Sequence, residues 1–189
     1  MQPAFFPQLR LTVLFTLLLL ACAASPVLAQ RDVHAMLIAS AQRKPAPAFG
    51  LMNEAGRIVG VSDYRGKVVL LNFWATDCGG CVLEIPSFIA IESAYGAKAF
   101  TAVGISMDIS YENLKNADEA WGKVKPFVSD HKVNYPILMG DESVFGAYGL
   151  NALPATFLID KTGRIAAMYV GIVSKDNVEV NLNKLLSER

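Results

Sequence analysis

The chain is poor in the residues that build most metal centres: its 189 residues include three cysteines and two histidines. A closed zinc site takes four ligands, so this scarcity argues against one. No charge sign dominates either. The 17 basic and 17 acidic side chains are scattered without runs, which excludes a nucleic-acid footprint and a polybasic membrane patch. Repeats and low-complexity tracts are missing. The apolar stretch Leu11 to Ala24 falls short of the ~20 residues that a spanning helix needs.

What is present suffices for one globular domain with an ample apolar core. The first 29 residues differ in kind from the rest: Arg10 is their only charge, and Val27-Leu28-Ala29 offers small residues at cleavage-site spacing. Residues 1–29 are therefore expected to be a secretory signal peptide, leaving Gln30 as the new N-terminus. Leu19-Leu20-Ala21-Cys22 also resembles a bacterial lipobox, in which a lipidated Cys22 tethers the protein to a membrane. An uncleaved anchor is the third reading. All three place the domain outside the cytosol, in the periplasm or cell envelope, where disulfides persist.

Residues 30–48 read as an N-terminal segment, with a short helix over His34 to Ile38 and extended backbone through Lys44-Pro45-Ala46-Pro47. Residues 49–189 read as the folded domain. Phe49 to Met52 and Arg57 to Val61 flank the turn Asn53-Glu54-Ala55-Gly56 and are expected to form a hairpin. Val68 to Trp74 is apolar except for Asn72, which suits a central strand buried on both faces. A helix follows over about Cys78 to Tyr95, then a strand over Ala99 to Met107 that is expected to lie parallel to the first. Further on come a helix over Asp118 to His131, a strand over Tyr135 to Met139 and a short helix over Ser143 to Tyr148. Strands over Ala155 to Asp160 and Arg164 to Val170 and a helix over Ser174 to Ser187 close the chain. This order implies a mixed sheet covered by helices, an α/β fold.

The chemistry concentrates in Cys78-Gly79-Gly80-Cys81, which joins the apolar strand to a helix start. With so few other ligands, the pair reads as a redox dithiol. At a helix N-terminus Cys78 faces unpaired backbone N–H groups, which lower its pKa from about 8.5 and make it the nucleophile. The flanking glycines are expected to leave it exposed. Cys81, one turn deeper, is then the resolving thiol. No cofactor beyond this redox-active pair is expected.

Asn72-Phe73-Trp74-Ala75-Thr76 before the dithiol, Pro86 after it and Leu153-Pro154-Ala155-Thr156-Phe157-Leu158-Ile159-Asp160 downstream carry a family likeness. Over roughly Pro45 to Arg189 the chain resembles the extracytoplasmic TlpA/ResA-like thiol-disulfide oxidoreductases of bacteria. The resemblance implies a thioredoxin-like three-layer sandwich with an added N-terminal hairpin. It implies a protein-disulfide reductase that acts on an exported protein and draws electrons from a membrane thiol reductant. Cytochrome c maturation and metalloprotein assembly are the settings it suggests.

The same resemblance places Pro154 opposite the dithiol, after a cis peptide bond, to align an extended substrate; a strand-edge proline is the plain alternative. Glu84 matches a glutamate of the ResA-like proteins. By i,i+3 spacing it shares a helix face with Cys81, so it is the candidate proton acceptor, or else a first-turn acid that satisfies the helix dipole. Thioredoxin has an aspartate where this chain has Asn72. Asp77 replaces the family's usual tryptophan; its carboxylate either opposes Cys78 ionisation or caps the helix. Two other readings use the same cysteines. A peroxiredoxin-like peroxidase expects a threonine three residues before its cysteine, whereas Thr76 lies two before Cys78. A Cu(I) chaperone is the non-enzymatic alternative.

Overall fold

The structure is a computed structural model that describes residues 32–188. The signal-peptide, lipobox and anchor expectations fall on residues 1–31, outside the described residues. Asn53-Glu54-Ala55-Gly56 turns the chain between β1 (Gly50–Asn53) and β2 (Ile58–Gly60), which pair antiparallel as expected. Asn53 Oδ1 accepts from the Ala55 and Arg57 N–H groups, and Gly56 takes φ +75°, a backbone state that suits glycine.

Besides two short 3-10 turns, Ser40–Gln42 and Val61–Tyr64, the remaining elements are β3 (Val68–Trp74), α1 (Gly79–Tyr95), β4 (Phe100–Ser106), α2 (Asp108–Tyr111), α3 (Ala117–Asp130), β5 (Ile137–Met139), α4 (Glu142–Ala147), β6 (Ala155–Ile159), β7 (Ile165–Val170) and α5 (Lys175–Ser187). They build one mixed sheet in the order β2-β1-β5-β4-β3-β6-β7. β3 runs parallel to β4 and antiparallel to β6. Both β3 and β4 are buried at every position, as continuous apolar strands in the middle of a covered sheet must be. The hairpin extends the sheet through antiparallel pairing of β1 with β5.

Helices cover both faces. Ile85, Phe88 and Ile91 of α1 share one core with Val124 of α3 and Leu182 of α5. Val144 and Tyr148, at α4, pack on the other side with Leu71, Phe73, Leu138 and Phe157. This is the expected three-layer α/β sandwich. α1 and α2 follow the C-terminal ends of the neighbouring parallel strands β3 and β4, so the dithiol and α2 lie side by side at one end of the sheet.

The expected helix over His34 to Ile38 is not formed. The segment is extended: Val33 N–H donates to the Ile172 carbonyl and Ile38 N–H to the Ala166 carbonyl. Val33, Ala35 and Leu37 are half-buried while Asp32, His34, Met36 and Ile38 are exposed, a period of two rather than 3.6. Hydrogen bonding to β7 and to the residues that follow it satisfies this backbone better than one isolated helical turn.

Arg43 fastens the segment to the domain. Its side chain is buried and donates to Asp160 Oδ2 at 3.1 Å, to both Glu188 oxygens at 2.6 and 2.8 Å and, through Nε, to the Ile38 carbonyl at 2.9 Å. Removing Arg43 leaves the largely buried Asp160 carboxylate without its cationic partner, while Glu188 keeps access to water. Arg43→Ala is expected to cost about 2 kcal/mol in urea unfolding, and Arg43→Met to recover part of it.

Candidate active site

β3 ends at Trp74, and the chain then enters the dithiol turn under several restraints. Thr76 donates to Asp108 Oδ1 through its backbone N–H at 3.0 Å and through its hydroxyl at 2.5 Å. Met107 N–H donates to the Trp74 carbonyl at 2.7 Å. Cys78 is the N-cap residue of α1, and its Sγ accepts from the Cys81 N–H at 3.3 Å. Cys78 and Cys81 are joined in a disulfide with an S–S distance of 2.07 Å. The dithiol thus stands at the N-terminus of a 17-residue helix, where backbone N–H groups and the dipole favour negative charge on sulfur.

The flanking glycines do not leave the pair open, contrary to expectation: Cys78 is 5% exposed and Cys81 1%. Neighbouring loops close over the turn. A Cβ on Gly80 would stand 3.3 Å from Pro154 Cδ and 3.6 Å from Ile172 Cγ1, so glycine permits this close approach. Pro154 follows a cis peptide bond from Leu153. The structure therefore brings Pro154 against the dithiol turn.

Glu84 lies one turn along α1 from Cys81 and is buried. Its Oε1 accepts from the Val173 N–H at 2.7 Å, and its Oε2 from Asn72 Nδ2 at 3.4 Å. Asn72 also donates to Thr156 Oγ1 at 3.0 Å. Burial pushes the Glu84 carboxyl up to about 7; the Val173 and Asn72 donors pull against that shift, and the Asp32 carboxylate adds to it. A carboxyl poised near neutrality can both take and return a proton at physiological pH.

Asp77 does not cap α1, because Cys78 occupies that position. Its Oδ2 pairs instead with Lys123 Nζ of α3 at 3.2 Å, and Lys123 also contacts Glu112. Glu112 raises the Lys123 pKa, desolvation pulls against it, and Asp77 adds to the rise. Sequence reasoning misses Asp108, Glu112 and Lys123: Lys123 carries only the signal of an expected helix, and α2, which carries Asp108, has four residues and no periodicity to find.

Tyr148 belongs to the core. Its ring packs 5.1 Å from Phe73 and 5.0 Å from Phe157, and its hydroxyl donates to the Pro47 carbonyl. Among the described residues no three His, Cys, Asp or Glu side chains converge as metal ligands, and no helix is long and apolar enough to cross a membrane.

Known proteins share this architecture. The AhpC/TSA family profile matches residues 43–168. Thiol-disulfide oxidoreductase ResA of Geobacillus thermodenitrificans is 30% identical over 178 residues, 94% of this chain and 97% of the relative. Thioredoxin-like protein YneN of Bacillus subtilis is 31% identical over 139 residues, 73% of this chain and 76% of its own length. Among solved structures, a secreted thiol-disulfide isomerase from Corynebacterium glutamicum superposes with a TM-score of 0.69 at 25% identity, covering 87% of this chain and 96% of its own. A thioredoxin-family thiol:disulfide interchange protein from Chlorobium tepidum gives 0.65 at 25% identity, covering 79% and 100%.

Proposed function

Because the chain belongs to the AhpC/TSA family and is a ResA-like thiol-disulfide oxidoreductase of the thioredoxin superfamily, we propose that it works outside the cytosol as a protein-disulfide reductase. The observation that carries this reading is the Cys78–Cys81 pair at the N-terminus of α1 with Pro154 packed on its turn. In the reduced protein the Cys78 thiolate attacks a substrate disulfide, forming a mixed disulfide and expelling one substrate thiolate. Cys81 then gives its proton to Glu84 and attacks Cys78 Sγ. The internal disulfide closes, the second substrate thiol leaves, and two electrons have passed to the substrate. Pro154 has no N–H to donate, and it holds an extended substrate backbone beside the sulfurs.

Electrons return from a membrane thiol reductant, and the substrates are exported proteins of the cytochrome c or metalloprotein-assembly type. The apolar leader and the secreted Corynebacterium neighbour support the location. Reduction of insulin by the purified protein tests the activity, and N-terminal sequencing of the exported protein for Gln30 tests the leader. A copper chaperone would retain Cu(I) and leave insulin intact.

The AhpC/TSA match also raises a peroxidase reading. The Thr76 hydroxyl, however, is tied to Asp108 and Glu112, which leaves it no free proton for a peroxide. Peroxide consumption is expected to be negligible beside insulin reduction.

Lys123 offsets the Asp77 carboxylate next to Cys78. Lys123→Ala leaves that carboxylate unpaired, so the Cys78 thiolate is disfavoured and the couple becomes more reducing. Attack at pH 7 is expected to slow about two- to threefold, a small effect because the pair is exposed to solvent. Lys123→Arg should restore both the rate and the potential; thiolate absorbance and glutathione equilibration measure the two quantities.

A further inference from the structure

A cavity of about 420 Å³ opens beside the dithiol turn, on the face of the sheet away from Glu84. Met107, Tyr111, Phe145 and Leu153 supply apolar walls, Gly146 adds a gap, and Glu142 is the one charged residue of the lining. Two walls are built onto the dithiol site itself. Met107 is hydrogen-bonded to the Trp74 carbonyl, four residues before Cys78, and Leu153 directly precedes Pro154, which packs on Gly80. Tyr111 is half exposed, which leaves this wall open to an incoming chain. Glu142 and its neighbour Asp141 are exposed and form no ion pair among the described residues. The backbone groups of Ala152 and Leu153 engage no backbone partner among the described residues. A chain lying along them would carry its side chains into the cavity.

We propose that this cavity is a specificity subsite for the substrate polypeptide. It takes an apolar or aromatic residue flanking the target cysteine and pairs a neighbouring cationic residue with Glu142. The inference rests on the reductase reading and adds a substrate class to it: cysteine segments flanked by an aromatic and a basic residue. The chemical step is unchanged. Two electrons leave the Cys78/Cys81 dithiol, the peptide disulfide opens to two thiols, and the protein disulfide closes. The cavity only raises the occupancy of the attacking geometry.

The test uses the full-length protein, pre-reduced with dithiothreitol and desalted, in single-turnover exchange with synthetic peptides. Each peptide carries one internal disulfide, flanked by Phe-Arg, Gly-Arg, Phe-Asp or Gly-Asp. Hydroxyethyl disulfide, too small to reach the cavity, is the control. The Phe-Arg peptide is expected to react at least about tenfold faster than Gly-Asp, the scale of one apolar side chain in a pocket. A Cβ on Gly146 meets nothing within 4 Å, so Gly146→Leu fills the space and should abolish the Phe advantage. Glu142→Lys should invert the Arg-over-Asp preference. Tyr111→Ala, at an exposed side chain, repeats the wall test should Gly146→Leu fail to fold. Hydroxyethyl disulfide should react within about twofold in every variant. Equal rates for the four peptides, or a Phe advantage that survives both wall variants, would overturn the subsite while leaving the reductase reading intact. No exchange with hydroxyethyl disulfide or insulin would overturn both.

Discussion

Cys78→Ser is expected to lower insulin reduction by on the order of a thousandfold or more, because the nucleophile itself is lost. Cys81→Ser should lose turnover just as completely, yet for a different reason. Its Cys78 still attacks, and without the resolving thiol the mixed disulfide accumulates. Mass spectrometry separates the two variants: Cys81→Ser gains the mass of a bound substrate thiol and Cys78→Ser does not. The order of roles follows from placement, since Cys78 caps α1 and is the more exposed of the two residues, 5% against 1% for Cys81. Adduct formation on Cys78→Ser alone would reverse the assignment.

Glu84→Gln should change both stability and rate through one proton. The folded-state carboxyl sits at about 7, raised by burial from 4.5. A raised acid binds its proton more tightly in the folded than in the unfolded state. Its contribution is therefore fully present below about pH 4.5 and is lost as pH climbs through about 7. The native protein is expected to lose up to about 3 kcal/mol from this group between pH 4.5 and 8, and Glu84→Gln to lose none. The amide oxygen can still accept from the Val173 N–H, so the variant should fold. Urea unfolding at pH 5 and pH 8 reads the difference. Resolution of the mixed disulfide at pH 7 should slow about a hundredfold in the same variant, the scale of a lost general base. A flat comparison in both experiments would remove Glu84 from the mechanism.

Much of this site could be read before any coordinates. The run Val68 to Trp74, apolar except for Asn72 and rich in strand formers, suits a buried strand, and the spacing of Cys78, Cys81 and Glu84 puts all three on one helical turn and its neighbour. Local patterns of this kind survive folding because they are short and one-sided. Features made by distant segments were invisible. The partner of Asp77 is Lys123, 46 residues away on another helix, so nothing near Asp77 distinguished a capping carboxylate from a paired one. The turn is closed at Gly80 by Pro154 and Ile172, on loops that no local signal places, and Cys78 is buried. The failed helix over His34 to Ile38 has a different cause: Met36 is 90% exposed, and this surface methionine hid the alternation of Val33, Ala35 and Leu37.

The equilibrium redox potential of the Cys78/Cys81 couple, taken on the purified protein in dithiothreitol or glutathione buffers, tests the central claim most directly. A reductase fed from a membrane thiol donor should lie near thioredoxin, about −270 mV or lower. A value near DsbA, about −120 mV, would make the protein an oxidant and contradict the account.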